Sequence, residues 1–278
     1  MTAGLVEVAL ESFQDIEAAH QSGFGCGNGG AVGSRAAAAD EQQQRLGIDR
    51  LAMIVCGQGP WPPYDLHLRA MRPLKEVVWS IVDSGGKTGW AHGKEAETLV
   101  ELAGRFPNIT GAYMDDFFRD PAKSGQAAVH GVESLRRIRE KLALPDRRLD
   151  LWAVLYAHQL DLPIREHLPL IDIVSFWTWH ARELECLEEN LARLEELTPD
   201  GRRSLGLYLW DYSERRPMPL ELMMHQCEVA LNWLKAGRVE SLMFLGSYLC
   251  DLDLAAVEWT REWIRNVGRT PVGGLAGP

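Results

Sequence analysis

Residues 132–158, VESLRRIREKLALPDRRLDLWAVLYAH, contain one complete repeat unit of the fold. The first half places apolar residues three and four positions apart with charges between them, which is typical of an amphipathic helix. From residue 149 the chain becomes a run of aliphatic and aromatic residues of strand length. The stretch therefore predicts a helix that packs on one face and leads into a buried strand.

Similar strand-like runs recur along the chain, separated by amphipathic segments such as KEAETLVELAGRF and LECLEENLARLEEL. The other six runs are LAMIVC (51–56), EVVWSIVD (76–83), TGAYMDD (110–116), DIVSFWTWH (172–180), SLGLYLWDY (204–212) and SLMFLGSY (241–248). Alternating strands and helices joined by right-handed crossovers form a parallel sheet. With LVEVALESF (5–13) as an eighth strand, the sheet closes into an α/β fold, a single (β/α)8 TIM barrel.

The length and composition fit one barrel-sized domain. A chain of 278 residues with 46% hydrophobic content can bury a large core. We expect the barrel domain to span residues 1–268, with a glycine-rich loop and a polar helix in residues 14–47, and residues 269–278 to form a flexible tail.

Charge and cysteine content exclude several classes of function. The net charge is −10 and basic residues never run longer than a pair, which argues against nucleic acid and anionic membranes as partners. MTAGLVEVALESF lacks the features of a signal peptide and no segment is long and apolar enough to span a membrane, so we expect a soluble, cytoplasmic protein. The cysteines are odd in number and widely spaced, which predicts reduced thiols rather than disulfides or a zinc site: Cys26, Cys56, Cys186, Cys227 and Cys250.

The stretch GAYMDDFF (111–118) carries the main candidate site. In a parallel barrel, functional residues lie at the carboxyl ends of the strands. A strand period of two places Tyr113 and Asp115 on the inward face, with Asp116 at the rim. YLWDY resembles YMDDF, so Asp211 is a third candidate at a second point of the ring. The sequence does not distinguish which aspartate of the doublet is catalytic.

Aromatic residues accompany these carboxylates, and ten tryptophans in the chain are many. Flat indole faces beside hydrogen-bonding side chains form a surface that fits a sugar ring. The predicted substrate-binding residues are Trp79, Asp83, Tyr113, His158, Trp177, Trp179, Glu183, Tyr208 and Trp210. Two carboxylates at such a mouth can divide the work of glycoside cleavage, one as acid and the other as nucleophile or base, with Glu183 as a substitute for the second.

The YMDDF ending of the fourth strand, the aromatic mouth and the YLWDY ending of the seventh resemble the glycoside hydrolase barrels, and more narrowly uncharacterised bacterial barrel proteins similar to them. The resemblance covers residues 48 to 266. It implies a hydrolase acting on a carbohydrate without a cofactor or a metal. Many such barrels carry Glu at the ends of these two strands, whereas this chain carries Asp, so strand position alone is carried over.

Two other readings of the same residues stay open. The first is a metal-dependent sugar isomerase, epimerase or lyase whose ligands come from Asp83, Asp115, His158, His180 and Asp211. The second is a barrel that binds carbohydrate without cleaving it. The sequence leaves the oligomeric state undetermined.

Overall fold

The computed structural model describes residues 6–10, 48–55, 60–245, 249 and 252–267. The strands are β1 (Val6–Leu10), β2 (Arg50–Met53), β3 (Glu76–Val82), β4 (Ile109–Met114), β5 (Asp150–Tyr156), β6 (Ile173–Trp177), β7 (Arg202–Tyr208), β8 (Trp210–Asp211), β9 (Arg216–Pro217) and β10 (Ser241–Leu245). The helices are α1 (Tyr64–Ala70), α2 (Glu95–Arg105), α3 (Pro121–Ser124), α4 (Val132–Lys141), α5 (Leu187–Leu197), α6 (Leu220–Lys235) and α7 (Ala255–Val267). Three short 3-10 helices lie at Ala157–Gln159, Leu168–Leu170 and Ala181–Cys186.

Eight of these strands close into a barrel in the order β1-β10-β7-β6-β5-β4-β3-β2. Every neighbouring pair is parallel, and β1 joins the two ends of the sheet by pairing with β10 on one side and β2 on the other. The predicted (β/α)8 fold is confirmed, including the strand within LVEVALESF. β8 and β9 form a separate antiparallel hairpin above β7.

The two faces of the strands pack differently. Outward side chains such as Trp79 lie beneath the helices, where its ring meets Tyr64 of α1 edge-on at 5.9 Å. Inward side chains fill the barrel, and the indole of Trp177 lies directly over Gly206. A Cβ atom at position 206 would come within 1.9 Å of that ring, so glycine on β7 makes room for tryptophan on β6.

The amino ends of the strands carry paired charges. Arg202 at the start of β7 bonds Asp150 of β5 at 2.6 Å and Glu240, next to β10, at 2.8 Å. Asp172, just before β6, accepts from Arg148 at 2.6 Å and pairs with Arg139 at 2.8 Å. These ion pairs link the amino ends of β5, β6, β7 and β10 at the end of the barrel that serves stability.

The structure corrects one predicted strand. SLGLYLWDY was expected to continue to residue 212, but β7 ends at Tyr208 and Trp210 already belongs to the β8–β9 hairpin. The Leu209 amide donates to the Leu245 carbonyl at 3.2 Å, and the chain leaves the sheet after this bond. Hydrogen bonds to the side chain of Asp211 then stabilise the turn instead of a longer strand.

Several sequence expectations lie outside the described residues: the loop and helix of residues 14–47, the tail of residues 269–278, Tyr248, Cys26, Cys56 and Cys250. The domain boundaries therefore stay a prediction. Of the described cysteines, Cys186 and Cys227 are both free thiols, and burial raises the pKa of Cys227. Within the described part of the chain, none of the helices has the length and apolar character needed to cross a membrane.

Candidate active site

Asp115 immediately follows β4 and points into the barrel mouth. Its amide donates to the carbonyl of Val82 at 3.1 Å, which extends the β3–β4 ladder by one residue and fixes its backbone. The residue is 4% exposed, and its Oδ1 accepts the amide of Asp116 at 2.9 Å. The strand-period argument placed this carboxyl on the inward face, and that is where it lies.

A cleft surrounds the Asp115 carboxyl. It is narrow, with about 220 Å³ of empty space including the part that is open to solvent. Its lining residues come from β4, β5, β6, β7 and the ends of β2 and β10: Ile54, Tyr113, Asp115, Val154, Tyr156, Trp177, Tyr208 and Leu245. Among these described residues Asp115 is the sole carboxyl, and none is a lysine or arginine.

Asp116 is held as a hydrogen-bond acceptor on both oxygens. The hydroxyl of Tyr156 donates to Oδ1 at 2.7 Å, and the amide of Gly85 donates to Oδ2 at 2.7 Å. Its φ of +42° is the left-handed conformation that aspartate tolerates better than most residues. The close packing of the loop requires glycine at position 86, because a Cβ there would lie 2.7 Å from the Asp116 carbonyl oxygen.

The three carboxyls above β3 and β4 influence one another electrostatically. Burial is the main cause that raises the pKa of Asp115 well above its usual range, and the charges of Asp116 and Asp83 raise it further. The hydrogen bond from the Asp116 amide acts in the opposite direction without outweighing them. Burial also raises the pKa of Asp83, which directly follows β3 and accepts the Lys87 amide at 2.7 Å. Of Asp83 and Asp115, Asp115 is therefore the carboxyl that more readily keeps its proton.

A continuous aromatic wall leads away from the carboxyl pair. Trp177 and Tyr208 lie 4.9 Å apart between ring centroids, and Tyr208 and Tyr212 lie 5.1 Å apart. Trp179 stacks on Tyr212 at 5.6 Å and meets Tyr156 edge-on at 6.0 Å. The wall therefore connects the tyrosine that bonds Asp116 with the rings above β6 and β7.

His158 and Glu183 lie beside this wall. His158 follows β5 and stacks on Tyr156 with ring centroids 5.4 Å apart and an interplanar angle of 10°. Burial lowers the pKa of His158, although the negative charge of Glu183 partly compensates. Glu183 is half-buried in the first turn of the 3-10 helix after β6. Both predicted residues are thus at the carboxyl end of the barrel, next to the cleft rather than in its lining.

Comparison with known proteins identifies the type of barrel. No family model matches the sequence, and no curated protein matches it. Among solved structures, a proposed α-L-fucosidase from Bacteroides thetaiotaomicron VPI-5482 aligns with a TM-score of 0.59 at 12% identity, covering 95% of this chain and 92% of that one. The glycoside hydrolase domain of PgaB (BpsB) from Bordetella bronchiseptica aligns at 0.55 and 12% identity, covering 96% and 99%. The chain has the fold of glycoside hydrolase barrels.

A third hydrolase-like neighbour supports the same assignment of fold. Active domain 2 of a thermostable chitinase from Pyrococcus furiosus, solved in complex with chito-oligosaccharides, aligns with a TM-score of 0.50 at 14% identity. The alignment covers 74% of this chain and 77% of that one. At these identities the likeness shows the fold alone. The chemistry has to be argued from the residues of the site.

Two residues of the predicted site lie elsewhere in the structure. Asp211 is 1% exposed and accepts from the Ser213 hydroxyl at 2.8 Å, the Glu214 amide at 3.3 Å and the Arg216 guanidinium at 3.3 Å. It therefore organises the β8–β9 hairpin instead of facing Asp115 across the cleft. Trp210 is half-buried in that hairpin, paired with Pro217.

Two aromatic residues differ from the sequence-based expectation, Trp79 because it lies outside the cleft and Tyr156 because it lines it. Trp79 was predicted to bind substrate, but it is fully buried on the outer face of β3 and is not among the described cleft residues. Tyr156 was not predicted, yet it lines the cleft and bonds Asp116. The period of two from Trp152 through Val154 would have placed Tyr156 on the inward face.

The predicted metal ligands do not converge in this barrel. In the described ranges, no three His, Cys, Asp or Glu side chains are grouped so that they could hold a metal ion. Asp211, one of the proposed ligands, is bound within its own hairpin, and His158 stacks on Tyr156.

Proposed function

We propose that this protein is a glycoside hydrolase in which Asp115 is the general acid and Asp116 is its ionised partner. The observation that carries the proposal is a buried carboxyl, Asp115, at the carboxyl end of β4 inside an aromatic cleft, directly beside a carboxylate that accepts two strong hydrogen bonds. Burial and the neighbouring negative charge raise the pKa of Asp115, and this favours the protonated form that an acid catalyst needs.

The chemistry follows from the two environments. Asp115 donates its proton to the glycosidic oxygen as the bond to the anomeric carbon breaks, so the leaving group departs as a neutral alcohol. The positive charge that develops on the sugar ring is stabilised by the fixed negative charge of Asp116. Water then adds to the anomeric carbon and returns a proton to Asp115, which completes the hydrolysis. Tyr156 and Gly85 hold Asp116 in place before the substrate binds, so little reorganisation accompanies the reaction.

The cleft favours an uncharged sugar at the reacting position. Its described lining combines Tyr113, Tyr156, Trp177 and Tyr208 with no cationic side chain, so an anionic sugar would find no counter-charge there. Aromatic faces instead match the apolar C–H faces of neutral pyranose rings. The PgaB glycoside hydrolase domain and the chitinase bound to chito-oligosaccharides have the same fold, which supports a carbohydrate substrate in general.

The test is hydrolysis of a panel of aryl glycosides and neutral oligosaccharides by the wild type, Asp115→Asn and Asp116→Asn. We expect kcat/KM for oligosaccharides to fall about 10²–10⁴-fold in Asp115→Asn, because general acid catalysis contributes that much. The same variant should lose far less on dinitrophenyl glycosides, whose leaving group needs no proton. Asp116→Asn should lose activity on both kinds of substrate.

The exposed Asp200→Asn variant serves as the control and should match the wild type. An Asp115→Asn enzyme that keeps full activity on every oligosaccharide would contradict the assignment. Activity that disappears with a chelator and returns with a divalent metal would instead favour the metal-dependent reading.

A further inference from the structure

Tyr156 joins the two halves of the candidate site. Its ring lines the cleft beside Asp115, while its hydroxyl donates to Oδ1 of Asp116 at 2.7 Å. The residue is the last of β5, two strand positions beyond Val154 on the inward face. A single side chain therefore lines the cleft and also holds the Asp116 carboxylate.

The position of Tyr156 is fixed by its surroundings. The Gln159 side chain accepts the Tyr156 amide at 3.0 Å through Oε1 and donates to the Phe118 carbonyl at 3.0 Å through Nε2. Gln159 thus ties the end of β5 to the segment that follows the aspartate doublet. The phenol ring is also stacked on His158 and meets Trp179 edge-on, which limits its rotation.

We infer that Tyr156 is a positioning residue that controls the protonation of the Asp115–Asp116 pair through its hydrogen bond to Asp116. A phenol hydroxyl donates to the ionised carboxylate better than to the neutral acid, so the bond favours charge on Asp116. That charge in turn favours the protonated form of Asp115. The inference rests on the proposed function for its catalytic meaning, but the proton linkage exists in the free protein.

Other charged groups around Asp116 act on the same equilibrium. The carboxyls of Asp83 above β3 and Asp115 lie close enough to interact with it electrostatically, and the Gly85 amide donates to it at 2.7 Å. His158 faces it from the end of β5, and because burial lowers the pKa of His158, this imidazole is mainly neutral at neutral pH. Arg119 binds the Gly86 carbonyl, one residue from the Gly85 donor. Tyr156 is the neighbour whose hydrogen bond can be removed without changing any of these charges.

The experiment compares the wild type with Tyr156→Phe, which deletes one hydroxyl and keeps the ring. Carboxyl carbons of aspartate are labelled with ¹³C and titrated by NMR, with Asp115→Asn and Asp116→Asn spectra to assign the two signals. We expect the lower of the two coupled titration steps to rise by about one pH unit in Tyr156→Phe, while the upper step stays in place. The apparent pKa of the acidic limb of the kcat/KM profile should increase by the same amount. The apparent pKa of the alkaline limb should not change.

Tyr64→Phe is the matched control. It also removes one tyrosine hydroxyl, but that hydroxyl donates to the Trp90 carbonyl and does not bond the aspartate doublet. Site-specific 3-fluorotyrosine at position 156 supplies a second variant with a stronger donor, and it should move the lower step downward. A folded Tyr156→Phe protein, or the fluorinated one, with an unmoved lower step would overturn the inference. If the wild type cleaves no glycoside, the proposed function fails while the NMR titration still decides the linkage.

Discussion

The contribution of Asp115 to the free energy of unfolding becomes less favourable as the pH rises. In the unfolded chain its pKa is about 3.9, whereas burial and the neighbouring charges raise its pKa in the folded state. The folded protein therefore binds a proton more tightly than the unfolded chain, and stability is lost as the pH increases from about 4 through the folded pKa. A residue that suits acid catalysis is in this way unfavourable for folding at neutral pH.

Asp115→Asn should remove this effect. The amide keeps the shape of the side chain without a charge, so we expect the variant to melt higher than the wild type at pH 8, by about 2–4 °C for each 1 kcal/mol gained. The gain should shrink towards pH 4 and disappear below about pH 3, where Asp115 is protonated in both states. Thermal melts of the two proteins across this range check the prediction, and a pH-independent difference would contradict it.

The sequence predicted the doublet but not the roles within it. Alternation along β4 placed Asp115 inward, which is a local property of any strand. The restraint on Asp116 comes from Gly85 and Tyr156, which lie 31 and 40 residues away. Bonds at such separations depend on how the barrel closes, so no local pattern in GAYMDDFF contains them.

Neighbouring strands share their interior volume, and β6 and β7 show this clearly. Gly206→Ala would place a methyl group within 1.9 Å of the Trp177 ring, on backbone that the barrel holds in register with β6 and β10. Overpacking of a well-packed core commonly costs about 1–3 kcal/mol. We expect Gly206→Ala to lower the midpoint of urea unfolding and to displace Trp177 from the cleft wall, which its fluorescence would report.

Gly104→Ala is the matched substitution on an exposed turn of α2, where a Cβ meets nothing within 4 Å. It should stabilise the protein by about 0.5–1 kcal/mol, because alanine is the better helix former. If Gly206→Ala lowers the free energy of unfolding and Gly104→Ala raises it, packing against Trp177 is the cause of the loss at position 206. Equal effects of the two substitutions would contradict this account of the β6–β7 interior.

The hairpin after β7 begins at a strand end that the sequence did not predict. YLWDY and YMDDF share a pattern, and the pattern suggested equal roles for Asp211 and Asp116. The two differ because β7 ends at Tyr208 and Asp211 bonds Ser213, Glu214 and Arg216 in the next turn. A strand end depends on where its neighbours stop providing hydrogen-bond partners, which a single sequence does not specify.

At the scale of the whole molecule, most of the architecture was predictable. Eight apolar runs separated by amphipathic segments specify a barrel, since alternating strands and helices permit few other closed arrangements. The registers and the crossing bonds between distant loops were not predictable, because they are collective properties of the closed sheet. The carboxyl end of the barrel, where the candidate site lies, depends most on such bonds.

The carboxyls at the two ends of the barrel should change the free energy of unfolding with pH in opposite directions. At the amino end, burial alone would raise the pKa of Asp172, but hydrogen bonds from Arg148 and the Leu151 amide and the charge of Arg139 outweigh it, and the pKa lies below its ordinary value. This group stabilises the fold above the unfolded pKa of about 3.9, and the contribution is lost as the pH falls through the folded pKa.

Asp172→Asn should destabilise the protein at pH 7 and differ progressively less from the wild type below pH 4, whereas the effect of Asp115→Asn should grow as the pH rises above 4. Activity should persist in Asp172→Asn at temperatures where it stays folded, because Asp172 lies at the amino end of the barrel, away from the cleft. Urea titrations of both variants at pH 3, 5 and 8 measure the two trends. Parallel pH trends in the two variants would show that the charges at the two ends do not act separately.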